Sequence, residues 1–303
     1  MPNKPLLISL VGPTAIGKTA TAIELAKRLD AEIISCDSRQ FYKEISIGTA
    51  KPTAEELAQA KHHFVDFISI EDEYSAGDFE RDVVSFLDTY FKTKNVCIVT
   101  GGSGLYLKAI TKGFDELPAD LVVRAALIAE FEKKGIRPLQ EELAEKDPVH
   151  YAKMDTNNPQ RLMRALEVCR STNETYSSFL TNKSVDRPFD LLEVGIHADR
   201  TVLYDRINTR VDQMLQSGLL EEAKHVHPKR ALNALNTVGY KELFTHFDGE
   251  WTLEEASDKI KQHTRNFAKR QMTWFNKNTD AKWFDIAEKE QLLDYVSEQC
   301  ANR

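Results

Sequence analysis

Gly12-Pro13-Thr14-Ala15-Ile16-Gly17-Lys18-Thr19 has the spacing G-x-x-x-x-G-K-[ST], a pattern whose chemistry is phosphate binding. Glycines let backbone N–H groups close around phosphate oxygens, and a following helix N-terminus adds its positive dipole end. Lys18 reaches the β-phosphate and beyond, and the Thr19 hydroxyl is placed to ligate Mg²⁺. Such loops are common in nucleotide- and ATP-binding proteins, yet the motif specifies only a phosphorylated ligand. Many NTPases add an acid at the end of a second apolar strand to hold the metal. Here the run Val96 to Val99 ends in Thr100-Gly101-Gly102-Ser103, with no carboxylate. The nearest strand-end acid is Asp37, closing Ile33-Ile34-Ser35-Cys36. It can serve as a general base, as an outer-shell partner of a metal, or as a turn cap.

These groups need elements to hold them. Leu6 to Val11 is a short apolar run, and Thr19 to Leu29 repeats apolar residues at helical spacing. Glu32 to Cys36 and Val96 to Val99 read as further strands, with a helix over Gly77 to Phe91. Strands alternating with helices predict an α/β fold, a P-loop NTPase-like parallel sheet with polar groups at its C-terminal edge. After Gly113 the pattern changes. Ala125 to Lys134, Leu139 to Lys146 and Pro159 to Arg170 are amphipathic, separated by Gly135, Pro138, Asp147-Pro148 and Asn158-Pro159. An all-helical inserted domain is expected over 113–189, within a core domain of 1–112 and 190–303. Leu191 to Ile196 restores a strand, followed by helices over Thr201 to Leu215, Gly218 to Val226, Leu253 to Asn276 and Lys289 to Gln299.

Composition removes several classes. Among 303 residues, 42% hydrophobic content with only 13 Gly and 10 Pro excludes collagen-like and low-complexity chains. The net charge of −7 argues against a protein that coats nucleic acid indiscriminately, while leaving room for a local basic surface. Cys36, Cys97, Cys169 and Cys300 stand far apart, without a C-x-x-C pair, and are expected as buried thiols of a reducing, cytoplasmic environment. The first apolar run is too short for a signal-peptide core or a membrane span. A soluble monomer is expected.

Taken together, Gly12 to Thr19, Asp37-Ser38-Arg39-Gln40, Ile47 to Pro52, His62-His63, Tyr74 to Phe79, Gly101 to Tyr106, Pro159 to Glu167, Val238 to Glu242 and Thr264-Arg265 with Ala268 to Phe275 resemble the bacterial tRNA dimethylallyltransferases, or tRNA isopentenyltransferases. Each piece is weak, while their order and spacing are specific. The resemblance implies that the loop holds the diphosphate of dimethylallyl diphosphate with Mg²⁺. The five-carbon group would pass to N6 of the adenine 3′ of the anticodon, in tRNAs reading codons that begin with U. It also implies that Asp37 is the base at N6, that Arg124 and Lys18 stabilise the departing diphosphate, and that Ser103 contacts the target nucleotide. Ser103 stands where the family commonly has Thr, and Ile16 where it has Ser. The resemblance further places tRNA contacts on Asp37 to Gln40, on Gln160, Arg161, Leu162, Met163 and Arg164, and on the Arg265 to Arg270 segment.

Between Lys259 and Lys277 lie Lys261, Arg265, Lys269 and Arg270, with no acid. Lys261, Arg265 and Lys269 recur every four residues, so one helical face is cationic, either tracking RNA phosphates or simply solvated. The target base would leave its stack to reach the diphosphate, and the helical insertion would close on the anticodon arm. His225 and His227 have no ligand partners nearby and are expected at the surface. Two alternatives stand beside this reading. One is a P-loop kinase, for which Arg206 and Arg210 resemble lid arginines, and the other is a non-catalytic RNA-binding module.

Overall fold

The computed structural model describes residues 4–115, 117–181 and 185–303. It divides into two compact units, Met1–Lys112 with Asp186–Arg303, and Gly113–Val185. The boundary expected at residue 189 falls earlier. Residues 186–189 join the larger unit because Arg187 donates to the Ala109 carbonyl at 2.7 Å and pairs with Glu80, while Phe189 is buried in its core.

The larger unit is built on six parallel strands: β1 (Leu6–Val11), β2 (Glu32–Ser35), β3 (His62–His63), β4 (Val96–Thr100), β5 (Asp190–His197) and β6 (Lys282–Asp285), in the spatial order β3-β2-β4-β1-β5-β6. The period-2 alternation of β1 sends Leu7 and Val11 to one face and Leu6, Ile8 and Leu10 to the other, and each set enters a different hydrophobic cluster. With both faces covered, the strands read as continuous apolar runs. Helix α1 (Lys18–Leu29) follows β1, α2 (Ala54–Gln59) precedes β3, and α3 (Ala76–Tyr90) and α4 (Gly104–Lys112) flank β4. Because β1 lies between β4 and β5, the loops leaving β1 and β4 diverge at a topological switch point, where α/β sheets bind ligands.

The inserted unit consists of α5 (Leu121–Lys134), α6 (Arg137–Lys146), α7 (Pro148–Tyr151) and α8 (Pro159–Thr172), then a 3₁₀ turn over Tyr176–Phe179. Its own core gathers Leu127, Leu139, Leu143, Leu162, Met163 and Leu166. Asp120 caps α5 by accepting the Val122 and Val123 amides, and buried Asp147 caps α7 while also holding Ser177.

After β5 the larger unit continues through α9 (Arg200–Gln216), α10 (Leu219–Val226), α11 (Tyr240–Phe247), α12 (Leu253–Asn278) and α13 (Lys289–Ala301). The 26-residue α12 opens on a Thr252/Glu255 capping box. It packs against α9, α11 and α4. Cys36, Cys97 and Cys169 are buried as expected, whereas Cys300 is only half-buried. Among the described residues no helix is long and apolar enough to cross a membrane.

Candidate active site

The phosphate loop closes on itself. Gly17 has φ 105°, a left-handed conformation that glycine adopts without cost, and α1 begins at the next residue. Lys18 Nζ donates to the Gly12 and Pro13 carbonyls at 2.9 and 2.8 Å, so its ammonium lies across the mouth of the loop. Burial lowers its pKa to about 8; Asp37 opposes this shift and Arg210 adds to it. Among the described residues the amides of Lys18 and Thr19 have no internal acceptor, as the first turn of a helix dictates, and neither do those of Ile16 and Gly17 in the loop before it. Thr14 differs. Its amide donates to Gln271 Oε1 at 2.8 Å, and is therefore not available to a ligand.

Asp37 follows β2 by two residues and lines the same pocket as Lys18. Its Oδ1 accepts the Arg39 amide at 3.1 Å. Burial raises its pKa, against the pull of that amide, Lys18, Arg39 and Arg210, so the carboxylate is more basic than an exposed one. The turn after β4 lies alongside. Ser103 Oγ accepts the Ser38 amide and donates to Ser38 Oγ, both at 3.1 Å, which ties this turn to the Asp37 segment.

A cavity of about 720 Å³ opens above these groups, lined by Asp37, Ser103, Arg210, Met214, Phe267 and Trp274 among others. A smaller one of about 100 Å³ adjoins it over Lys18 and Thr19, sharing Thr14, Asp37, Arg210 and Gln271. The arrangement thus joins a cationic, amide-lined phosphate pocket to a wider part-apolar chamber, with a basic carboxylate in the wall of both.

Residues 40–278 match the family model described as IPP transferase. The chain is 51% identical over 292 residues to the tRNA dimethylallyltransferase of Christiangramia forsetii, covering 96% of this chain and 97% of that protein. It is 49% identical over 294 residues to tRNA dimethylallyltransferase 2 of Parabacteroides distasonis, covering 97% and 98%. The chain belongs to the IPP transferase family. Among solved structures, the full-length tRNA isopentenylpyrophosphate transferase of Bacillus halodurans superposes with a TM-score of 0.73 at 35% identity, covering 99% of this chain and 98% of that one. A eukaryotic dimethylallyltransferase acting on tRNA superposes with a TM-score of 0.81 at 25% identity, covering 98% of this chain and 77% of that one. The P-loop NTPase-like fold is shared with these structures.

Several IPP transferase segments brace the scaffold as well as border the cavities, Arg39 at the wider one and Gln40 at the smaller. Gln40 is fully engaged, accepting from Ser35 and donating to the Thr49 and Ala50 carbonyls. Arg39 donates to the carbonyls of Asn233 and Ala234 at 2.8 and 3.1 Å. Both side chains are thus held in place by the protein's own carbonyls. Leu162 and Met163 are buried in the core of the inserted unit, while Gln160 and Arg161 on the same helix are exposed. Arg164 donates to the Pro118 and Leu117 carbonyls and pairs with Glu167 at 2.9 Å. Arg124 pairs with the same buried carboxylate at 3.1 Å. The cationic face of α12 is likewise uneven: Lys261 pairs with Asp212 at 2.6 Å and Arg265 donates to Asn208 at 2.7 Å, whereas Lys269 and Arg270 are exposed.

The sequence reading missed three cavity groups. Arg210, four residues after Arg206 on α9, lines both cavities, and Arg206 donates to the Ala15 carbonyl at 2.8 Å. Their i, i+4 spacing was the visible signal, read instead as kinase-like lid arginines. Gln271 is the second. His62 is the third: its Nδ1 donates to the Ala60 carbonyl at 2.8 Å, leaving Nε2 as a buried acceptor without a partner, and burial lowers its pKa toward the neutral ring. Nothing in the sequence separated it from its neighbour His63, which pairs with Glu32.

Proposed function

We propose that the protein transfers the dimethylallyl group of dimethylallyl diphosphate to N6 of the adenine 3′-adjacent to the anticodon, in tRNAs reading codons that begin with U, releasing diphosphate. The observation carrying this reading is Asp37, a carboxylate made more basic by burial, in the shared wall of a phosphate pocket and a wider chamber. A phosphoryl donor would call for a strand-end metal acid, which β4 lacks; a diphosphate leaving group asks for cations and amides.

An exocyclic aromatic amine is a poor nucleophile because its lone pair is delocalised into the ring. Asp37 accepts the N6 proton as the N6–C1 bond forms. The C1–O bond breaks and its electron pair departs on the diphosphate, whose growing charge meets Lys18, Arg210 and the amides of Ile16 to Thr19. A role for Arg124 on the diphosphate rests on the resemblance alone, its guanidinium pairing with Glu167 within the inserted unit. Ser103 sets the acceptor turn beside Asp37, and Val211, Met214, Leu219 and Ile260 supply apolar wall for the five-carbon group.

Mg²⁺ fits the residues present. The Thr19 hydroxyl and, through water, Asp37 are hard oxygen donors in one pocket, and among the described residues no cluster of three or more His, Cys, Asp or Glu forms a cage. That sparse donor set suits an ion that keeps waters and takes substrate phosphate oxygens. Bound there, it would supply charge neutralisation to the leaving diphosphate.

The test is transfer of labelled dimethylallyl from its diphosphate to an anticodon stem-loop in Mg²⁺ buffer. Label on the RNA that disappears when the adenine 3′ of the anticodon becomes guanine supports the reading. Absence of label on stem-loop and full-length tRNA alike, from folded protein, contradicts it.

A further inference from the structure

Gln271 occupies a position that the transfer chemistry does not require and the fold alone does not explain. It is a polar side chain only 5% exposed, projecting from the C-terminal third of α12 toward the turns after β1 and β4. Its Oε1 accepts the Thr14 amide at 2.8 Å, and its Nε2 donates to the Gly102 carbonyl at 2.8 Å. Each end of the amide faces a group of the opposite kind, so turning it over would break both bonds. Helix α12 comes so close that a Cβ on Gly102 would overlap the Gln271 amide, and one on Gly104 would overlap the Trp274 ring. The two glycines admit the helix, and the helix in turn fixes the turn.

We propose that Gln271 is a positioning residue that holds the phosphate loop in register with the turn carrying Ser103. The inference rests on the transfer reading and deepens it. The path is continuous: Thr14 to Gln271, Gln271 to Gly102, then Ser103 to Ser38 beside Asp37. The links are already formed in the fold, so a diphosphate that further orders the phosphate loop further orders the turn, and with it the base, through this amide. The Thr14 amide is withdrawn from the ligand for this purpose. Lys269 and Arg270, exposed on the same turn of α12, put the RNA-facing surface within one residue of the link.

The experiment is hydrogen–deuterium exchange of peptides spanning 12–19 and 100–106, with and without inorganic diphosphate and Mg²⁺. Wild-type protein, Gln271→Met and Gln271→Glu are compared, with the transfer assay run in parallel. Met removes both hydrogen bonds at similar volume; Glu keeps the acceptor for Thr14 and loses the donor for Gly102. The expected result is protection of both peptides in the wild type, and of 12–19 alone in both variants. Transfer should show kcat lowered ~10- to 100-fold and the KM for dimethylallyl diphosphate changed by less than about threefold. If either variant is unfolded, the other decides. Protection of 100–106 that persists in a folded variant, or kcat unchanged, overturns the inference while leaving the transfer reading intact. Wild-type protein that gains no protection at 12–19 and transfers nothing overturns both.

Discussion

Ser103 Oγ accepts the Ser38 amide at 3.1 Å and donates to Ser38 Oγ at the same distance. One hydroxyl thus fastens the turn after β4 to the segment carrying Asp37. Ser103→Ala removes the acceptor of the part-buried Ser38 amide, which the cavity leaves open to water, at a cost of about 0.5–1.5 kcal/mol in stability. It should lower kcat/KM ~10- to 100-fold through misplacement of the base. Ser103→Thr keeps the hydroxyl and should hold both quantities near wild type. Denaturant unfolding and steady-state transfer by the three proteins check this; an alanine variant equal to wild type in both would contradict it.

Lys18 gives a pH dependence with a definite sign. Burial holds its pKa at about 8 in the free protein, and a bound diphosphate raises it, so the anion selects the protonated form. Affinity should be complete below that pH and weaken above it, by up to about tenfold per unit, until the pKa of the complex is reached. Titration calorimetry with inorganic diphosphate from pH 7 to pH 10 measures this. Lys18→Met should bind more weakly at pH 7 and lose the slope, while a flat wild-type profile would contradict the assignment.

The fold was legible wherever local pattern and burial agree. The phosphate loop, β1, β2, β4 and β5 carried apolar runs or glycine spacing that survive in the structure. Strand β3 spans only His62–His63, and β6 spans Lys282–Asp285 with a single buried residue, so neither could show a periodic signal. Within the site, Lys18, Thr19, Asp37 and Ser103 were visible because motif and strand end mark them. Arg210 was visible by its spacing from Arg206 but assigned to another chemistry, and Gln271 was not singled out, because a helical sequence does not say which residues of a polar face turn toward a sheet edge. Motif membership does not say what each side chain touches: Gln40 bonds loop carbonyls beside the smaller cavity, and Leu162 packs in the core of the inserted unit.

Lys269 and Lys261 lie on the same face of α12 and should behave differently. Lys269 is exposed, whereas Lys261 pairs with Asp212 at 2.6 Å. Lys269→Glu should raise the tRNA KM and reduce the salt dependence of tRNA binding by about one unit of log–log slope. It should leave dimethylallyl diphosphate binding alone. Lys261→Glu should act first on stability, by facing Asp212 with a second carboxylate. Salt titrations of stem-loop binding and thermal melts separate the two, and equal effects at both positions would contradict the division.

Asp37 carries the central claim, and single-turnover transfer by Asp37→Asn tests it most directly. The amide keeps the size and the acceptor for the Arg39 amide, and removes the base. With both substrates saturating, the chemical step should slow ~100- to 10,000-fold, while the affinities for dimethylallyl diphosphate and stem-loop stay within about threefold of wild type. An asparagine variant that transfers at the wild-type rate would contradict the account.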